Sequence, residues 1–152
     1  MKREIKFRGK STDTGKWVYG FLSFFYTAGR DENGLILTDK ARIYSSEDGC
    51  CYDVWAETVG QFTGLKDKEG NDIYEGDIVK WDDMSGGKYW RFAVVRIGPD
   101  IMFDCSPVKS VCGVPNSTDY VFQYGRFQYQ LTHNFLTVIG NIHESDTDII
   151  IR

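Results

Sequence analysis

Hydrophobic residues in this chain recur at every second position, a period that strands satisfy and helices do not. In "REIKFRGK", Ile5 and Phe7 face one way while Glu4, Lys6 and Arg8 face the other. "KWVYGFLSFFY" repeats the rhythm, placing Trp17, Tyr19 and Phe21 on one face. Helical periodicity is weak throughout. Aromatic residues reach 15% of the chain, and many alternate with polar neighbours, as half-buried strands require.

Turn chemistry separates these runs. "STDTG" joins the first two strands into an N-terminal hairpin, because Ser, Thr and Asp bond their own backbone and Gly accepts positive φ. Asn33-Gly34 is a strong hairpin signal, and "TDK" at 38–40 offers a further turn. "YDVWAETVGQF" reads as extended, and "YEGDIVKW" as a strand entered through Gly76. Residues 104–119, with two cysteines and two of the three prolines, read as a loop. "YVFQYGRFQYQL" and "FLTVIGNIHE" close the sheet, and "DTDIIIR" offers a terminal strand or tail.

With 152 residues the chain is expected to form one domain, 1–152, divisible into lobes 1–64 and 65–152. A chain of this length buries roughly 68–70% of its unfolded surface, so it needs no metal or disulfide to fold. The start "MKREIKFRGK" is charged and does not read as a signal peptide. No segment approaches the ~20 apolar residues of a membrane helix. These features predict a cytoplasmic chain whose thiols, Cys50, Cys51, Cys105 and Cys112, are reduced.

Most chemical constellations fail on spacing. Cys50-Cys51 and Cys105-x6-Cys112 lack the short separation that aims two sulfurs at one zinc. Cys105 or Cys112 with His133 would make a nucleophile and base, but nothing local marks either thiol as activated. "DKEGNDIYEGDI" resembles a calcium loop, yet Asp72 stands where the bend needs Gly and Ile78 where the last ligand needs Glu. Asp82 and Asp83 would point to opposite faces of a strand. No phosphate-binding loop is present. The sequence therefore predicts no catalytic residues, no metal and no cofactor.

A nucleic-acid surface is the alternative worth weighing. It would need Lys80, Lys88, Arg91, Arg96 and Arg126 to gather near Tyr120 and Tyr124, whose aromatic series offers stacking faces. The competing reading turns that series into a hairpin at Gly125-Arg126 with its aromatics in the core. A net charge of −4 also disfavours a duplex binder.

Three blocks carry a family resemblance: "REIKFRGKSTDTGKWVYG", "ETVGQFTGLKDKEGNDIYEGDIVKW" and "VIGNIHE". Through them the chain resembles the YopX-like family of small phage and prophage proteins. The resemblance implies a mainly β protein with an SH3-like small barrel, over residues of about 65–145, beside the N-terminal β-meander lobe. It also implies bacterial cytoplasm, and it carries over no catalytic residues. The acidic, glycine-rich middle block is then expected to shape turns. The function expected is that of a non-enzymatic adaptor binding a host or phage protein, with self-association through open strand edges. Candidate contact surfaces are the Tyr44–Tyr52 loop, the 104–119 loop, and Trp17, Tyr19, Trp81 and Trp90.

Overall fold

The computed structural model describes residues 4–82, 90–116, 121–126 and 131–152, with backbone alone at Arg126. Among them the alternating pattern forms fourteen strands, joined by turns and three short 3-10 segments, with no α-helix. Two compact units divide the chain, Met1–Phe62 and Thr63–Arg152.

The first unit holds β1 (Phe7–Lys10), β2 (Trp17–Asp31), β3 (Gly34–Ser45), β4 (Cys51–Trp55) and the start of β5 (Gly60–Lys66). Their antiparallel order is β4-β3-β2-β1-β5. β1 and β2 form the expected hairpin, from Phe7 opposite Gly20 to Lys10 opposite Trp17. In its turn the Ser11 hydroxyl accepts the amides of Asp13 and Thr14 at 3.2 and 3.3 Å. Val18, Ala41, Ile43 and Val54 are the buried centre, flanked by Phe7, Leu22, Phe25 and Tyr52. Gly20 is fixed by close approach: a Cβ there would stand 1.9 Å from the Tyr44 carbonyl oxygen.

β2 and β3 make a hairpin much longer than the strands beside it. Its turn is Glu32-Asn33, with the Asn33 amide on the Asp31 carboxylate at 2.8 Å and Gly34 at φ 120°. The "TDK" segment does not turn. β3 runs through it, and register shifts between Phe25, Thr27 and Arg30 of β2 absorb the surplus residues. β1 pairs β2 only at Trp17–Gly20, and β4 pairs β3 only at Lys40–Tyr44. Past those points both outer edges are unpaired among the described residues.

The second unit contains the rest of β5, then β6 (Asp72–Tyr74), β7 (Asp77–Asp82), β8 (Trp90–Ile97), β9 (Ile101–Asp104), β10 (Val108–Val111), β11 (Val114–Pro115), β12 (Val121–Gln123), β13 (Thr137–Asn141) and β14 (Ile149–Ile151). β6 lies beside β5, a five-stranded sheet has the order β12-β9-β8-β7-β13, and a three-stranded sheet the order β11-β10-β14. The middle of the five-stranded sheet is buried on both faces. Val79, Trp81, Ala93 and Val95 enter a core with Ile73, Phe103, Cys105 and Leu136. Ile78, Phe92 and Val94 pack with Val108 and Val111.

Two expectations change here. No sheet closes into a barrel among the described residues, because the five-stranded sheet ends in two unjoined edges, β12 and β13. The 104–119 segment is not a plain loop: it supplies β10 and β11 and is pinned by one side chain. Asn116 donates to the carbonyls of Phe92, Cys105 and Val108 at 2.8, 3.0 and 2.9 Å, and accepts the Phe92 amide at 3.0 Å. β12 pairs with β9 and then enters a 3-10 turn at Tyr124–Arg126, where the aromatic hairpin was expected to turn; its residues 127–129 lie outside the described residues.

Candidate functional site

The acidic, glycine-rich block builds turns. Asp67 is buried, and its carboxylate accepts four bonds: the amides of Asn71, Glu69 and Val138 at 2.8, 3.0 and 3.0 Å, and the Asn71 side chain at 3.3 Å. Burial pushes its pKa up, but the Val138 and Asn71 amides and the other donors outweigh it and hold the group below the ordinary carboxylate range. Asp77, also buried, accepts the Tyr74 amide at 2.8 Å and closes the "YEGD" turn. Gly76 donates to Val95 at 2.8 Å and accepts the Ile142 amide at 2.9 Å, tying the turn to the sheet. These acids are spent on backbone.

The basic and aromatic candidates do not form one surface. Lys80 lies opposite Phe92, on the face with Ile78 and Val94; Arg91 lies opposite Trp81, on the other. The Arg91 guanidinium stands 5.8 Å from the Phe122 ring. Arg96 is ion-paired to Asp104 at 3.0 Å. Tyr124 packs half-buried against the first core, together with Phe122. Lys88 and Tyr120 lie outside the described residues, as do Asp83 and the side chain of Arg126.

Trp81 is 3% exposed and meets Phe103 and Phe122 edge to face, so it offers no contact surface. Trp17 is engaged by the buried Arg8, whose guanidinium lies 4.3 Å from its ring centroid. Cys105 is in the core; Cys50, Cys51 and Cys112 are exposed, and all four are unbridged. His133 is exposed in a 3-10 turn. Among the described residues no group of His, Cys, Asp and Glu is arranged to hold a metal ion, and no helix is long and apolar enough to cross a membrane.

Two features remain that the sequence reading did not single out. The first is the free part of the β2–β3 hairpin, where Phe24, Leu35, Ile36 and Leu37 are 45, 62, 41 and 59% exposed. Leu35 and Leu37 share one face of β3 and Ile36 takes the other, so neither face is covered. At its root Asp53 accepts the Tyr26 hydroxyl at 2.7 Å and Arg42 Nε at 3.1 Å. The Tyr26 bond, with Arg42, holds the Asp53 carboxyl below its usual range, and the Tyr26 hydroxyl is raised correspondingly by Asp53. Asn33-Gly34 was the signal available for this hairpin.

The second feature is a cavity of about 230 Å³ in the second unit, lined by strands of the five- and three-stranded sheets. Phe92, Val111, Ile139 and Ile149 give it an apolar lining, which Trp90, Lys80, Asp146 and Asp148 share. No period in the sequence marks it, since its walls come from segments far apart in the chain.

Comparison with known proteins decides the family. A family model described as YopX protein matches residues 6–147. The chain belongs to the YopX family. Among solved structures, this YopX-family chain is similar to protein EF1440 from Enterococcus faecalis at 23% identity and a TM-score of 0.47, covering 94% of this chain and 96% of that one. Among curated proteins nothing matches it.

Proposed function

We propose that this YopX-family chain is a non-enzymatic protein-binding module whose contact element is the free part of the β2–β3 hairpin. The observation that carries this reading is apolar exposure on both faces of one hairpin, at Leu35 and Leu37 on one side and Ile36 on the other. The open edge of β2 adds a second argument. Residues 21–29, "FLSFFYTAG", contain no charge and no proline, the devices that usually protect such an edge from pairing. The occupant that suits it is another extended, uncharged strand, added by main-chain hydrogen bonds. The same segment of a second copy is the nearest such strand.

The setting we infer is a phage- or prophage-encoded protein in bacterial cytoplasm, binding a host or phage protein. The nucleic-acid alternative is weakened by the geometry, since Lys80 and Arg91 lie on opposite sheet faces and Arg96 is already paired. The test is light scattering over a wide concentration range, for wild type and Leu35→Glu/Leu37→Glu. Wild type is expected to associate, and the variant to remain folded while its self-association weakens by about 100-fold. A wild type that stays monomeric at every concentration would remove the second copy as occupant. If the variant also retained every protein that the wild type retains from nuclease-treated host lysate, the hairpin would not be the contact element.

A further inference from the structure

We infer that the cavity between the two sheets of the second unit binds a small zwitterion with an apolar body, of the class of a branched or aromatic α-amino acid. This site is separate from the hairpin and does not depend on its role.

Size sets the first limit. At about 230 Å³ the cavity falls below the ~300–1,000 Å³ typical of sites for drug-sized molecules. It suits an occupant with the bulk of a single amino acid. Chemistry sets the second. Phe92 and Val111 of the lining are buried, and Ile139, Ile149 and Trp90 are half-buried, so the body of the ligand must be apolar.

Charge sets the third limit. Lys80 brings its ammonium 4.9 Å from the Trp90 ring centroid and makes no ion pair among the described residues. Asp146 and Asp148 also line the cavity. The Asp146 carboxylate accepts the Asp148 amide at 2.9 Å, and the Asp148 carboxylate accepts no bond among the described residues. The acids are held in place by backbone: the Asp148 carbonyl accepts the Cys112 amide at 2.7 Å, and the Asp146 carbonyl accepts the Ile149 amide at 3.2 Å. Charges of both signs thus share one apolar lining without neutralising each other. An ammonium placed at the two acids and a carboxylate placed at Lys80 would satisfy both from one molecule. A purely cationic ligand would leave Lys80 opposed to it, and a purely anionic one would face two carboxylates.

The experiment is ligand-observed NMR titration with four probes: leucine, phenylalanine, phenethylamine and 3-phenylpropionate. The last two each lack one charge of phenylalanine. For wild type, leucine or phenylalanine is expected to bind saturably with Kd on the order of 1 mM, and each single-charge analogue about 5–10-fold more weakly. Lys80→Met should erase the preference for phenylalanine over phenethylamine. Asp148→Asn should erase the preference over 3-phenylpropionate. Val114→Trp, which fills the cavity from β11, should abolish binding while the thermal midpoint stays near that of wild type.

No saturable binding of either amino acid by wild type would overturn the inference. So would affinities indifferent to the charges of the probe, or unchanged by both charge variants. Because the hairpin is untouched in all these proteins, these results stand whatever the outcome for self-association.

Discussion

Asp67 makes the sharpest quantitative case. Replacing it with Ala removes an acceptor for four donors, three of them backbone amides. Glu69 and Asn71 are exposed, so water can take up much of what their amides lose. Val138 is half-buried in β13, and its amide, 3.0 Å from the carboxylate, has no equivalent substitute. Hydrogen bonds to a charged group contribute about 1.5–3 kcal/mol each, with losses that do not add fully. The expected cost of Asp67→Ala is about 3 kcal/mol, a fall of about 6–12 °C in thermal midpoint for a chain of this size. Asp67→Asn keeps one carbonyl oxygen and should lose about half as much.

The pH dependence gives an independent handle. The folded pKa of Asp67 is depressed. Its stabilisation is therefore fully present above the unfolded value, about 3.9, and is lost as pH falls through the folded pKa. Thermal melts followed by circular dichroism should show a wild-type advantage over Asp67→Asn that is constant near neutrality and shrinks at strongly acidic pH. An Asp67→Ala midpoint within about 2 °C of wild type, or an advantage over Asn that persists unchanged in acid, would refute the assignment of this carboxylate as the turn's anchor.

Gly20→Ala should cost about 3 kcal/mol by urea unfolding, because its Cβ would meet the Tyr44 carbonyl and the paired backbone cannot withdraw. Thiol titration with an aromatic disulfide should modify Cys50, Cys51 and Cys112 in the native protein, leaving Cys105 unreactive until denaturant is added. Tyr26→Phe removes the principal bond that depresses Asp53, so carboxyl NMR should show the Asp53 titration moving upward towards the usual range.

What could be read from the sequence was whatever lies close along the chain. Ile5, Phe7, Trp17 and Tyr19 announced the first hairpin, because period-two patterning and the "STDTG" turn are local properties. The turn-forming role of the "KDKEGND" acids was legible for the same reason, since the Glu69 and Asn71 amides lie within a few residues of Asp67; the Val138 amide, 71 residues along the chain, was not. The straight passage of β3 through "TDK" was not, since bulges let a strand absorb residues that look like a turn. Cross-sheet relations were also hidden. That Arg91 faces Trp81 and Lys80 faces Phe92 follows from register, and register is set by pairing partners that no single segment names. The cavity is the extreme case, assembled from six strands and the turn before β14.

Asn116 shows what kind of information such a fold stores outside its hydrophobic pattern. Most buried positions here select for volume, and a methyl more or less is the unit of error. At Asn116 the quantity selected is polarity at fixed shape. An aspartate would occupy the same space, yet it would turn lone pairs towards the carbonyls of Phe92, Cys105 and Val108 where the amide offers protons. A leucine would match its size and leave the Phe92 amide without its acceptor. The segment that carries β10 and β11 is thus keyed to a single functional group, so it can drift in size and hydropathy around that residue while remaining intolerant of a one-atom change within it.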